Sequence, residues 1–244
     1  MSRIHAATTH LAICAVVATV LVGLFWFIWY PQPLFTAVGG QQLFFLLLGV
    51  DVALGPLLTF IVFKAGKKSL KFDLTAIGVV QVIALCYGVL TLLIGRPVYI
   101  ASLGNRFVVI QANEVQDQEL TTAKKSLPWF GPQWVGTKEP ADKSESERML
   151  FGGLGGARNG NFPLHHAPLE SMRDEILKNA VPLSVLRKNN PTQNAEITAW
   201  LSERGCSDSS VAYQAPIAQS QYMSVIFDAK TAKIVGIAPF KPRG

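Results

Sequence analysis

The chain has 244 residues, half of them hydrophobic and only 16% charged, and its mean hydropathy of +0.30 excludes a uniformly water-soluble protein. Only seven acidic or basic residues lie in residues 1–95, so this part has the composition of a membrane domain and residues 96–244 that of a water-soluble one. The net charge is +6, but the sequence contains no run of five or six like charges, which argues against a nucleic-acid-binding protein.

Three apolar stretches are long enough to cross a bilayer. Leu11–Tyr30 (TM1) and Leu74–Ile94 (TM3) contain no charged residue, and Gln41–Phe63 (TM2) contains one, Asp51. A helix of about 20 apolar residues spans the hydrocarbon core. The sequence therefore predicts a membrane protein with three N-terminal transmembrane helices in residues 1–95, followed by a small α+β domain in residues 96–244.

TM1 has two interpretations because it lies at the N-terminus. It is either a retained membrane anchor or a cleaved signal peptide. Its apolar run is longer than that of a typical signal peptide, and it ends in the aromatic segment Phe25–Tyr30 rather than in small residues. This favours a retained anchor, with the aromatic residues placed at the membrane interface.

The distribution of lysines predicts the orientation in the membrane. The TM2–TM3 loop carries four lysines within Lys64–Lys71, whereas the TM1–TM2 loop, Pro31–Gly40, carries no charge. Because basic loops stay in the cytoplasm, we expect a cytoplasmic N-terminus and a periplasmic location for residues 96–244. The expected location is a bacterial inner membrane.

Asp51 is the most informative residue of the membrane part. A carboxylate at bilayer depth costs several kcal/mol unless it faces the helix bundle or a partner. Two interpretations stay open: a docking or proton-handling site, or a hydrogen-bonded residue that only orients the bundle. Gly49 and Gly55 allow another helix to approach closely, and Pro56 predicts a kink in TM2.

TM3 offers polar partners for Asp51. Counted from the cytoplasmic ends of antiparallel helices, Tyr87 and Asp51 lie at about the same depth. We therefore predict a hydrogen bond from the Tyr87 hydroxyl to the Asp51 carboxyl, with Thr91 on the same face of TM3. Gln81 lies lower and on a different face, where it serves another contact.

The segment after TM3 predicts a β-hairpin at the membrane surface. Arg96 and Tyr99 are typical of the membrane interface. Val98–Leu103 and Arg106–Ala112 are rich in strand-forming residues, and the Gly104-Asn105 pair between them predicts the turn.

The next segment, Leu127–Thr137, is expected to be irregular because it holds two prolines and two glycines. Its aromatic residues Trp129, Phe130 and Trp134 are either core residues or an exposed binding patch, and burial of large aromatic side chains favours the core. A helix is predicted for Ala141–Phe151. The glycine-rich loop that follows, residues 152–162, lacks the spacing and the lysine of a phosphate-binding loop.

The last part of the chain predicts two helices and a hairpin: Leu169–Asn179, then Thr192–Gly205 with Thr192 as its N-cap, then strands at Ser220–Phe227 and Lys233–Ala238.

No chemistry-bearing motif accompanies these elements. The pair His165-His166 has no accompanying cluster of metal ligands, so no metal is expected. The sequence contains no recognisable catalytic motif and suggests no cofactor. Cys206 has no second cysteine in the exported part and is expected to be buried and inert.

Several motifs resemble those of one protein family. They are WYP at 29–31, LGVDVALGPLLT at 48–59, KSLKFDL at 68–74, ALCYG at 84–88, RPVY at 96–99 and RF at 106–107. The chain resembles the type IV pilin accessory proteins of the TfpX/TfpZ group over about residues 25–112. This resemblance implies a non-enzymatic inner-membrane chaperone that binds the major pilin and supports its stability or its assembly into pili, among lipid and other pilus-assembly proteins.

As implied by the resemblance, a partner-binding surface of TM2 (Gly49, Asp51, Gly55 and Pro56) docks the transmembrane helix of the pilin. Asp51 pairs with its N-terminal amine, and residues 96–244 meet its globular head. Two other functions remain as alternatives: a membrane-anchored periplasmic enzyme of unknown reaction, and a proton or ion relay through Asp51.

Overall fold

The computed structural model describes residues 2–140, 142–144, 147, 159–217 and 223–242. Within these residues three helices are long and apolar enough to cross a membrane, so the protein is membrane-anchored. TM1 is Arg3–Trp29, TM2 is Gly40–Val62 and TM3 is Leu70–Ile94. All three predicted spans are confirmed, although TM1 begins eight residues before the predicted start. The Ser2 hydroxyl caps it by accepting a hydrogen bond from the amide of His5 at 3.2 Å.

An aromatic cluster fastens the spans together where TM1 ends and TM2 begins. Phe25, Trp29 and Tyr30 are buried in this cluster together with Phe35 and Phe44. The predicted assignment of this aromatic segment to the lipid interface is therefore wrong for these three residues. Packing between helices removes them from lipid, whereas their neighbours Trp26 and Phe27 remain exposed.

A hydrogen bond adds to this packing. The Tyr30 hydroxyl donates to the carbonyl of Leu92 in TM3 at 2.5 Å, and both residues are buried. It joins the last turns of TM1 and TM3, so the ends of the two helices are held at one level.

The loop between TM1 and TM2 belongs to the core of the downstream domain. It contains the short helix α1, Leu34–Ala37. The side chains of Leu34 and Ala37 are fully buried and pack in one cluster with Ile100, Phe107 and Val225 from the sheets. The membrane part and the sheets therefore share a hydrophobic core.

The downstream part contains nine strands among the described residues. They are β1 Pro97–Ser102, β2 Phe107–Gln111, β3 Gln133–Thr137, β4 His166–Ala167, β5 Val181–Pro182, β6 Val211–Gln214, β7 Pro216–Ile217, β8 Ser224–Asp228 and β9 Ile234–Ala238. They form a five-stranded sheet in the order β4-β3-β1-β2-β7 and a four-stranded sheet in the order β5-β6-β8-β9. Among the described residues, four α-helices accompany them: α2 Asp117–Ala123, α3 Arg173–Lys178, α4 Leu183–Asn189 and α5 Asn194–Ser202. The predicted α+β class is confirmed.

Both predicted hairpins are present. Strands β1 and β2 pair antiparallel on either side of Gly104, whose φ of 81° is the left-handed conformation that glycine adopts without strain. Strands β8 and β9 form the C-terminal hairpin. The prediction of an irregular Leu127–Thr137 is wrong for β3, which pairs in parallel with β1. Pro128, Gly131 and Pro132 precede the strand, and Gly136 lies within it without interrupting the pairing with β1.

The predicted helices are present with shifted starts. Leu169–Met172 forms a 3-10 turn before α3. Thr192 lies within another 3-10 turn, Pro191–Gln193, and is not the N-cap of α5, because the proline begins a tighter turn there. Most of the predicted helix Ala141–Phe151 and most of the glycine-rich loop 152–162 lie outside the described residues.

A buried glutamine holds the two sheets together. Gln214 lies in β6 with 1% of its surface exposed. Its side-chain Nε2 donates to the carbonyls of Gly104, at 3.0 Å, and Ile176, at 3.1 Å. Gly104 forms the β1–β2 turn and Ile176 lies in α3, so one side chain connects three elements.

We expect Gln214→Ala to lower the free energy of unfolding by about 2–3 kcal/mol, because two buried carbonyls lose their donor. Urea unfolding of the full chain in detergent, followed by near-ultraviolet circular dichroism, measures this change. Gln118→Ala on the exposed side of α2 is the matched control and should change stability by less than about 0.5 kcal/mol. Equal stabilities of the two variants would contradict the assigned role of Gln214.

Candidate functional site

Asp51 lies in a local change of helix geometry in TM2. The segment Val50–Leu54 is a π-turn, immediately before Gly55-Pro56. In the i to i+5 register of a π-turn the Asp51 carbonyl is paired with residue 56, and Pro56 has no N–H to donate. The Gln81 side-chain Nε2 donates to this carbonyl at 3.2 Å instead. The sequence Asp51–Pro56 therefore leaves the Asp51 carbonyl without a backbone donor, and a side chain of TM3 supplies one.

The Asp51 side chain is buried without a hydrogen-bond partner. The residue is 8% exposed, and neither carboxylate oxygen has a hydrogen-bond partner among the described residues. The Gln81 Oε1 atom is likewise buried and unpaired within this part of the chain. All three atoms are acceptors when the carboxyl is ionised. The site therefore presents acceptor oxygens that need donors, and it does so inside the membrane.

These groups border a cavity of about 250 Å³ between the three spans. Asp51 and Gln81 are the acceptor side chains in its wall. The rest of the wall is mostly apolar and comes from all three helices: His10, Ile13, Cys14, Val17, Ala18 and Leu21 of TM1, Leu48 and Val52 of TM2, and Gly78, Val82 and Leu85 of TM3. A cavity of this size admits one large side chain or the first residue of a chain, but not a whole helix, which is about 10 Å across.

A second polar contact joins TM1 to TM2 inside the bundle. The His10 Nδ1 atom lies 2.6 Å from the Thr59 hydroxyl, and His10 also lines the cavity. His10 was not predicted as a site residue, because the predicted TM1 began at Leu11. The contact joins TM1 to TM2 within the bundle.

The two glycines of the predicted partner-binding surface differ in their surroundings. A Cβ at Gly55 would overlap the amide of Gln81, so this glycine is needed for the TM2–TM3 contact. A Cβ at Gly49 meets no atom within 4 Å in the described structure. Pro56 is buried beside Gly55. Gly55 and Pro56 therefore build the Asp51 site from inside the bundle, while Gly49 leaves open space on TM2.

The predicted hydrogen bond between Tyr87 and Asp51 is wrong. Tyr87 is 74% exposed on the outside of TM3, and the Thr91 hydroxyl bonds only to the Tyr87 carbonyl within the same helix. The depth comparison was in error, because the Asp51 carbonyl bonds to Gln81, which lies six residues and therefore about 9 Å along TM3 from Tyr87. It also left out the direction around the helix axis: six residues place Tyr87 about 120° around TM3 from the face that Gln81 presents to TM2.

Arg96 and Tyr99 lie just beyond TM3 in different environments. Arg96 is 6% exposed, and its Nη1 donates to the carbonyl of Leu93 at 2.7 Å. Tyr99 is buried in β1, with its ring edge against His166 at a centroid distance of 4.6 Å. The predicted interface position is therefore wrong for Tyr99, because the sheet buries both faces of β1.

The three aromatic residues after α2 separate into two groups. Trp134 packs edge-on against Phe107 at a centroid distance of 5.7 Å and borders the shared core. Trp129 and Phe130 are 60% and 83% exposed, so the expectation that they belong to the core is wrong for these two. They precede β3 on a loop, and no strand directs their side chains inward.

His165 and His166 have structural roles. The His166 Nε2 atom lies 2.7 Å from the carbonyl of Gly160, and burial lowers the pKa of its imidazole, which keeps the ring neutral at pH 7. No group of three metal-ligating residues occurs within the described ranges. Cys206 is half-buried rather than fully buried, and its thiol lies 3.4 Å from the carbonyl of Arg204.

The sheets carry a charged open groove lined in part by Glu170, Arg173 and Thr231. Arg173 Nη2 donates to the carbonyl of Lys230 at 2.9 Å. The Thr231 hydroxyl donates to Asp228 at 2.8 Å, and both bonds stabilise the β8–β9 turn. Arg173 and Thr231 of this groove therefore have local structural partners, whereas the Asp51 carboxyl has none among the described residues, which makes Asp51 and its cavity the stronger candidate site.

Comparison with known proteins identifies related sequences. A family model described as "Fimbrial assembly protein FimB" matches residues 1–39. A fimbrial assembly protein of serogroup I from Dichelobacter nodosus is 30% identical over 197 residues, which cover 78% of this chain and 77% of that protein. The serogroup E1 protein of the same organism is 30% identical over 201 residues, covering 79% and 77% of the two chains. No solved structure matches the chain.

We expect Gly55→Ala to be less stable than Gly49→Ala by about 1–2 kcal/mol. Both changes bring the same gain in helix propensity, about 1 kcal/mol. Only Gly55→Ala displaces Gln81 from the Asp51 carbonyl and leaves this buried acceptor unpaired. Unfolding of the full chain in mixed micelles gives both values. If the two variants were equally stable, the TM2–TM3 contact would not contribute to the fold.

Proposed function

Because the chain belongs to the family of fimbrial assembly proteins, we propose that it holds the pilin subunit in the membrane and supports its stability or its assembly. A role in pilus assembly follows from the family. The finer step, binding of the pilin by this chain, is proposed from the chemistry of the Asp51 site.

The observation that carries this proposal is the set of unpaired acceptors in the intramembrane cavity. Both Asp51 carboxylate oxygens and the Gln81 Oε1 atom are buried and have no donor among the described residues. An unpaired ionised group in hydrocarbon is costly, and intramembrane acids commonly mark functional sites for this reason. The complementary ligand is a group with several N–H donors and a positive charge.

The N-terminus of an apolar helix meets this description. A free amine carries a positive charge and donors, and the first turn of a helix has four N–H groups without acceptors in the helix. One terminal residue fits the cavity of about 250 Å³. We therefore infer that the pilin inserts the start of its transmembrane helix beside Asp51. Pro56 and Gly55 maintain the geometry, and the space at Gly49 accommodates the helix that follows.

This proposal includes a topology. The lysine-rich TM2–TM3 loop is placed in the cytoplasm, and with it the N-terminus, in the bacterial inner membrane. Residues 1–95 form the membrane domain, and residues 96–244 form a periplasmic domain that meets the globular head of the pilin. The direct connection between TM3 and β1 supports this arrangement, because only Gly95 and Arg96 separate the span from the first strand.

We expect Asp51→Asn to reduce the pilin recovered with the tagged full-length protein from membranes of its host by about tenfold. This corresponds to about 1.4 kcal/mol, close to the lower end of the range for a hydrogen bond to a charged group. The substitution retains size and removes the charge. The measurement is the ratio of pilin to bait by quantitative mass spectrometry after solubilisation in a gentle detergent.

The matched control is Asp73→Asn, at the start of TM3. Its carboxylate forms an ion pair with Lys67 at 2.6 Å and lies outside the cavity. It should recover as much pilin as the wild-type protein. Equal loss in both variants would indicate a general effect on folding. Unchanged recovery with Asp51→Asn would move the contact out of the membrane, and absence of pilin from every sample would contradict pilin binding itself.

A further inference from the structure

The loop Pro128–Pro132 lies where the sheets meet the ends of two membrane spans. Arg96 connects it to TM3, because its Nη2 donates to the carbonyl of Pro128 at 3.3 Å while its Nη1 donates to the carbonyl of Leu93. The guanidinium carbon also lies 5.4 Å from the centre of the Trp129 ring, which gives a cation–π contact. Arg96 thus fixes this loop at the level of the last turn of TM3.

The same loop borders TM1 on its other side. Phe130 and Gly131 share a groove with Phe27 and Ile28, which lie in the last turn of TM1. A Cβ at Gly131 would come 3.7 Å from the Ile28 carbonyl, so the two backbones are close. The loop therefore lies at the ends of both spans, and the Tyr30 hydrogen bond holds these ends at one level.

The rings of Trp129 and Phe130 are only partly covered by the protein at this level, and Arg96 lies over the Trp129 ring. Both are exposed, and Phe27 of TM1 beside them is exposed as well. Exposed aromatic rings at the end of a membrane span lie at the height of the lipid headgroups, where tryptophan and other aromatic side chains are favoured. Lipid surrounds the ends of the spans at this level, so rings exposed here contact lipid headgroups and not only water.

We propose that Trp129 and Phe130 insert into the interfacial layer of the leaflet that faces the sheets and form a second, monotopic anchor. The ligand is the lipid surface itself. Arg96 is a positioning residue, which sets the depth of the loop through its two carbonyl contacts. The anchor holds the sheet domain against the membrane in one orientation, in addition to the covalent link at Gly95. This inference does not depend on pilin binding.

The test uses the full chain in nanodiscs of phosphatidylethanolamine and phosphatidylglycerol, without any partner. Cys14, Cys86 and Cys206 are replaced by alanine, and a nitroxide label is attached at Phe130→Cys. Power saturation compares collisions with oxygen, which concentrates in hydrocarbon, and with a water-soluble nickel chelate. Leu46→Cys on the exposed face of TM2 is the lipid reference, and Glu203→Cys at the end of α5 is the water reference.

We expect the label at Phe130→Cys to have an oxygen-to-nickel collision ratio close to that at Leu46→Cys and well above that at Glu203→Cys. Trp129→Cys supplies a second position should the first variant fail to fold. In the background of Arg96→Gln, the ratio should fall towards the water reference. A ratio equal to that at Glu203→Cys in partner-free nanodiscs would overturn the proposal, and shielding only after addition of pilin would reassign the two rings to a protein contact.

Discussion

The burial of a carboxyl group in the middle of a membrane span is the constraint on which the membrane half depends. Asp51 is retained in the centre of TM2 although an ionised group there is costly. The π-turn before Pro56 changes the hydrogen-bond register, so the Asp51 carbonyl has no backbone N–H to accept from. Gln81 supplies the donor that the proline lacks. What remains unsatisfied is the side chain itself. The bundle itself supplies a donor for the Asp51 carbonyl, whereas the Asp51 carboxyl group borders the cavity without a partner among the described residues.

The second organising feature is the stiff connection between the spans and the sheets. A single covalent link through Gly95 would let the sheet domain turn freely on TM3. Instead, Leu34 and Ala37 from the TM1–TM2 loop lie in the core of the sheets, and Arg96 bonds to both Leu93 and the loop before β3. Any displacement of the sheets relative to the membrane would expose this shared apolar surface to water, which is unfavourable in proportion to the area exposed.

Those parts of the fold that local patterns dictate could be predicted from the sequence. The spans follow from charge-free apolar runs, and the first hairpin follows from two strand-forming segments around Gly104. The position of Asp51 in the membrane was equally clear. Neither the relative level of TM2 and TM3 nor the direction in which a residue points around a helix axis could be predicted by counting residues, and this is why Tyr87 was chosen as the partner of Asp51 in place of Gln81. Strand β3 was missed because its partner β1 is more than 30 residues away in the sequence, and pairing at that distance leaves no local signal.

The wrong prediction that Trp129 and Phe130 lie in the core and their inferred contact with lipid have one cause, the solvent that surrounds the two rings. Burial statistics assign large aromatic side chains to a core because water is the assumed surrounding. Beside a membrane span the surrounding is lipid, and exposure of such rings carries no comparable cost. The stiff connection then links the Asp51 cavity to the surface of the sheet domain. If the loop fixes the orientation of the sheets on the membrane, the distance from the Asp51 cavity to the domain surface is constant. A partner with one helix in the bilayer and a folded head outside can then contact both surfaces without a new ordering cost. Once the helix of such a partner is bound, the contact of its head with the sheet domain is effectively intramolecular and has a high effective concentration. Two weak contacts would then be enough to hold the partner specifically.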